Sequence, residues 1–196
     1  METDQSQRLL HASQENELDT ATDAIRNGAD VNIRNNEDEW TPLMLAAEQG
    51  FLDMVRLLIA NGADINAADG DGRSALMSSS AGGFLEVATY LVENGANVQA
   101  TMEDGWNALM SAVLLNRLDV ARYLISQKAD VNSVGGLFEW SVLMVASENG
   151  FIEMAILLIE NGADIYFVGD DGETALSLAE KKNKPDMIAF LQQKMA

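Results

Sequence analysis

The stretch Thr41-Pro42-Leu43-Met44-Leu45-Ala46-Ala47, followed after a short interval by Asn61-Gly62-Ala63-Asp64-Ile65-Asn66, decides the fold. Thr41 is a good N-cap, because its side-chain oxygen can accept from free helix N–H groups. Pro42 follows at the first helical position, where a missing N–H costs nothing. Leu43, Ala46 and Ala47 recur at helical spacing, and the small alanines let a neighbouring helix approach closely. Gly50 can take the left-handed conformation that ends a helix. A second apolar stripe, Met54, Leu57 and Leu58, then runs out at Gly62. The stretch therefore predicts two short helices closed by an irregular turn.

The same beat runs through the chain. Asn-Gly-Ala-Asp stands at Asn27–Asp30, Asn61–Asp64 and Asn161–Asp164, with the variants Asn94-Gly95-Ala96-Asn97 and Gln127-Lys128-Ala129-Asp130. The alanines fall at 29, 63, 96, 129 and 163, in steps of 34, 33, 33 and 34. N-cap residues recur in phase as Thr41, Ser74, Asn107, Ser141 and Thr174, and first helices are expected to end near Gly50, Gly83, Asn116 and Gly150. Self-similarity at this period is the signature of a repeat array. Residues 1–196 are expected to form one array, with units near 5–35, 36–68, 69–101, 102–135, 136–168 and 169–196. Thr20 and Asp23 replace Met54 and Leu57 in the first unit, and Gln192 replaces Ile59 and Ile159 in the last. Polar outer faces suit end units, so the array reads as complete.

This pattern resembles the ankyrin repeat over nearly the full length. The resemblance implies an all-α solenoid of about six antiparallel helix pairs with β-turn fingers. It also implies protein binding through the fingers and inner helices, with catalysis rare. The chain departs from the family pattern in three ways. Met44, Met77, Met110 and Met144 stand where the family carries His, and Pro is kept only at Pro42. The fingers before Thr41 and Ser141 are one residue longer, with Glu39 and Glu139 where the family prefers Gly. Those two fingers are expected to differ in shape.

Composition narrows the partners. Formal net charge is −19, from 31 acidic and 12 basic residues, so nucleic acid and anionic membrane surfaces are disfavoured and a basic protein is favoured. There is no Cys, which removes disulfides, thiolate metal sites and cysteine nucleophiles. No apolar run approaches the roughly 18 residues of a membrane span. The polar, acidic start lacks the apolar stretch of an export signal, which points to the cytoplasm unless a leader has been removed. A monomer is expected.

The three tryptophans share one register, the residue before an N-cap: Trp40, Arg73, Trp106, Trp140, Glu173. That register is expected to be exposed, and large amphipathic rings there suit a protein interface. Inner-helix positions expected at the same face include Glu48, Leu114, Leu115 and Glu148; finger tips include Glu37, Asp38, Asp71, Asp104, Leu137 and Phe138. Apolar bulk gathers at Trp106, Leu114, Leu115, Leu137, Phe138 and Trp140, with carboxylates around it. The candidate partner-binding set is therefore Trp40, Arg73, Trp106, Leu114, Leu115, Leu137, Phe138, Trp140, Glu48, Asp71 and Asp104. The competing reading is that each Trp ring packs across a neighbouring finger.

Catalytic chemistry finds no support. His11 is the only His and has no specified partner. Asp69-Gly70-Asp71-Gly72 and Gly169-Asp170-Asp171-Gly172 resemble pieces of calcium loops but do not continue to the required Glu, so turn chemistry explains them. No cofactor or metal is expected. The expected function is a non-enzymatic binding module acting as inhibitor, protector or scaffold. A small-ligand or nucleotide sensor and a structural spacer are the rivals.

Overall fold

The computed structural model describes residues 5–35 and 38–196. Glu37, placed at a finger tip by the sequence, lies outside them. The chain divides into two compact units, Met1–Asn97 and Val98–Ala196.

The first unit holds three helix pairs: α1 (Gln5–Glu15) with α2 (Leu18–Arg26), α3 (Pro42–Gln49) with α4 (Leu52–Ala60), and α5 (Ala75–Gly82) with α6 (Leu85–Glu93). First helices pack on first helices, α1 on α3 and α3 on α5, while α2, α4 and α6 form a second layer. The second unit repeats the plan with α7 (Ala108–Leu114) and α8 (Leu118–Ser126), α9 (Val142–Asn149) and α10 (Ile152–Glu160), and α11 (Ala175–Lys181) and α12 (Pro185–Met195). There α7 packs on α9 and α9 on α11, with α8, α10 and α12 behind. Links of two or three residues within pairs make the partners antiparallel neighbours.

Local chemistry explains the repeat. Thr41, Ser74, Asn107, Ser141 and Thr174 each accept from the backbone N–H three residues on. Gly50, Gly83, Asn116 and Gly150 all hold positive φ behind the first helices, as the sequence predicts. Met44, Met77, Met110 and Met144 lie fully inside, so the apolar side chain at the family's His position packs in the core. The Asn-Gly-Ala-Asp motif has a mechanism too. Asp30, Asp64, Asp130 and Asp164 each accept from the backbone N–H two residues on. Asn32 then donates to Gly62 O and accepts from Asp64 N, and Asn66 and Asn132 do the same one unit later. Each such Asn staples its unit to the next.

The fingers are turns with little strand. Three close on single bridges, Ala68 to Ser74, Thr101 to Asn107 and Val168 to Thr174. The longer finger before Ser141 closes instead on a two-residue antiparallel ladder of β1 (Val134–Gly135) and β2 (Trp140–Ser141). Glu39 and Glu139 sit at φ of 59° and 49°, the left-handed conformation that Gly72, Gly105 and Gly172 take in the other fingers.

Lys128 is a third strained residue. It holds φ of 72°, where Gly28, Gly62, Gly95 and Gly162 stand in the other units. A left-handed residue with a Cβ carries about 1–2 kcal/mol of strain. Lys128→Gly is therefore expected to raise unfolding stability by about 1 kcal/mol, read from the urea midpoint at constant slope. An unchanged or lower midpoint contradicts this account of the turn.

Candidate protein-binding surface

The second unit carries an open apolar site. Trp106 and Trp140 stand just before the N-caps of α7 and α9, Leu114 ends α7, and buried Val145 and half-buried Glu148 lie on α9. With Gly135, Gly136, Leu137 and Phe138 of the intervening finger they line a pocket of about 220 Å³. The Phe138 and Trp140 rings lie 6.1 Å apart at 32°. Leu137 is 87% exposed, Leu115 48%, Phe138 45% and Leu114 42%. These four face solvent as expected; Leu115 stands outside the pocket wall.

The tryptophans require a correction. Their register is half-buried rather than exposed. Each indole N–H already has a partner: Trp40 donates to Asp69 Oδ2 at 2.9 Å, Trp106 to Ser111 Oγ at 3.1 Å and Trp140 to Asp171 Oδ2 at 3.1 Å. The bonds of Trp40 and Trp140 reach the next finger, so these rings do brace neighbouring turns while one side stays open to water. Val145, Gly135 and Gly136 were missed by sequence reasoning. Val145 looks like ordinary core, and the two glycines matter through backbone proximity.

That proximity shapes the pocket floor. A Cβ on Gly105 would meet Val134 O at 2.6 Å, and one on Gly135 would meet Gly105 C at 2.8 Å. Two backbones touch where side chains would otherwise fill the space. Further out, Gly136 N donates to Asp104 O at 2.9 Å and Asp170 N to Phe138 O at 3.0 Å, which ties three successive finger tips together.

The remaining candidates fall in the first unit. Arg73 places its guanidinium 5.5 Å from the Trp40 ring centre. Glu48 is half-buried, and burial pushes its carboxyl above the ordinary range, with Arg73 opposing and Asp38 adding to the rise. Asp71 is exposed, and its N–H is held by Asp69 Oδ1, which also accepts from Arg73 N. Asp104 Oδ1 accepts from Trp106 N. The Asp-Gly segments are therefore stabilised as turns. Among the described residues no group of three or more His, Cys, Asp or Glu is placed to hold a metal ion. No helix among them is long and apolar enough to cross a membrane.

Capped helix pairs stacked in register, joined by projecting turns, define a helical-repeat protein. The chain belongs to the ankyrin-repeat family, whose model matches it in three copies at residues 9–102, 71–135 and 129–196. Ankyrin repeats are in general protein–protein interaction modules. No curated protein matches the chain.

Glu173, in the tryptophan register of the last unit, gives a pH test. Hydrogen bonds from Lys181 and Ser177 hold its carboxyl below the ordinary range, and the same bond raises Lys181. The carboxylate's contribution is present above the ordinary carboxylate pKa and is lost as pH falls through the lowered folded value. The lysine's contribution is present below the ordinary lysine pKa and is lost as pH rises through the raised folded value. Glu173→Gln is expected to lower the urea midpoint at about pH 7 and to match wild type at about pH 2. An equal deficit at both pH values contradicts the ion pair's role.

Proposed function

We propose that this chain is a non-enzymatic binding module that docks a partner protein with a basic surface on its fingers and first helices. Its output is occupancy, covering a partner and inhibiting or protecting it, most simply a partner enzyme. The observation that carries this reading is the open apolar site of Trp106, Leu114, Leu137, Phe138 and Trp140 on a strongly acidic chain. An apolar centre with a charged margin is the anatomy of an interface. Trp40, Arg73, Glu48 and Asp71 of the first unit supply further contacts, with the Arg73 fork stacked on an aromatic face. The protein acts as a monomer in the cytoplasm, and its carboxylates speed encounter with a basic partner.

A nucleotide-sensing role fits less well. The pocket's one charged wall residue is Glu148, which opposes a phosphate. A spacer role leaves the exposed Leu137 and Phe138 without purpose.

The test uses the full chain as bait, wild type against Leu137→Glu/Phe138→Ala. Both positions are exposed, so the fold should survive. Removing an interface anchor typically weakens binding by at least about 2 kcal/mol, or roughly 30-fold. The expected result is a captured protein that the double variant releases and whose activity or lifetime changes on saturation with wild type. Equal retention by both baits would remove the site from the interface. Full partner activity and lifetime at saturation would remove the inhibitory and protective roles.

A further inference from the structure

The pocket of the second unit allows a sharper statement, which rests on the protein-binding reading above. Its volume of about 220 Å³ falls below the roughly 300–1,000 Å³ of small-molecule sites. Its walls are Trp106, Leu114, Phe138, Trp140 and Val145, with a single charge at Glu148. That size and lining suit one bulky apolar side chain, not a nucleotide or a metabolite.

The finger tips around the pocket carry one sign of charge. The three tied finger tips carry Glu103, Asp104, Glu139, Asp170 and Asp171, and residues 102–106, 135–140 and 169–173 contain no Lys or Arg. All five of these carboxylate residues are exposed. Two lysines of the last repeat stand beside these carboxylates: Lys182, whose Nζ lies 3.1 Å from Glu148 Oε1 with half its side chain exposed, and Lys181, which is held on Glu173 at 2.8 Å and is also felt by Asp171 and Glu148. The Lys182 end of this pair is open to water, whereas the Glu148 side chain is only 23% exposed, so a carboxylate left by Lys182 favours a replacement cation. Another cation can therefore take the place of Lys182 on Glu148.

We infer that the pocket is a socket for one large apolar side chain of a partner segment that carries Lys or Arg within a residue or two of it. The apolar side chain enters between Trp106 and Trp140 against Phe138. The neighbouring cation meets Glu148 and the finger carboxylates. The occupant is thus a short basic–apolar peptide segment of another protein, recognised in extended or turn form.

A random dodecapeptide library displayed on phage, selected on the full chain, tests this. Selected peptides are synthesised and their affinities measured by fluorescence polarisation. The expected peptides place an aromatic or large aliphatic residue beside Lys or Arg. Their affinity should fall at least about tenfold with Phe138→Ala, rise about threefold with Lys182→Ala, and weaken as salt is raised. Peptides that depend on Phe138 but lack a cation, or bind independently of salt, would overturn the inference and leave the docking face standing. No enriched peptide would also overturn it. Peptides unaffected by Phe138→Ala would overturn it and count against the proposed function as well.

Discussion

No helix among the described residues exceeds 11 residues, and most have nine or fewer. Helices below about 12–15 residues are marginal alone in water. Every element here therefore depends on the element beside it. The first helices meet this constraint with small side chains, such as Ala46 and Ala47 on α3, Ser79 and Ser80 on α5, and Ala112 on α7, all fully buried. Ser80 and Ser147 return their hydroxyls to their own helix backbones, so these polar atoms enter the stack without loss. The Asn32, Asn66 and Asn132 staples add polar bonds along the turns that follow the second helices.

Stacking of this kind also decides where a site can form. Packing takes up most of both helix layers, and the fingers and the open ends of first helices such as Leu114 on α7 are left accessible. In the second unit Gly105 and Gly135 bring two fingers into backbone contact, which leaves space above them for Trp106, Phe138 and Trp140 to wall a cavity. In the first unit the corresponding ring, Trp40, is engaged with Arg73 and Asp69. Trp140 keeps the same bond to the next finger through Asp171, so the two rings differ in their neighbour, Arg73 over Trp40 and Phe138 beside Trp140.

The repeat was legible because its signals are local. N-caps, left-handed stops and the Asn-Gly-Ala-Asp turn are chemistry between residues a few positions apart, and each recurs in the structure at the residue the sequence marks. The left-handed Glu39, Glu139 and Lys128 were visible only as departures from a pattern; their strain is a property of the turn that imposes it. The tryptophan register was read as exposed, although packing of each ring across the neighbouring finger stood beside that reading. Asp69 and Asp171, which hold two of the rings, lie 29 and 31 residues away. The repeat period brings such residues onto neighbouring fingers, but it does not say which side chain takes the indole N–H. Leu137 and Phe138 were legible as a surface anomaly, whereas the pocket behind them needs the glycine contact and was not.

The central claim is that a protein partner seats on the second unit's apolar pocket. The chain's three tryptophans make this directly observable, because each gives one resonance after labelling with 5-fluorotryptophan. Fluorine NMR of the full chain, titrated with a basic–apolar peptide, is the decisive measurement. The account predicts that the Trp106 and Trp140 signals move to saturation while Trp40 stays in place. Movement of Trp40 alone, or three unmoved signals alongside binding detected by other means, would contradict it.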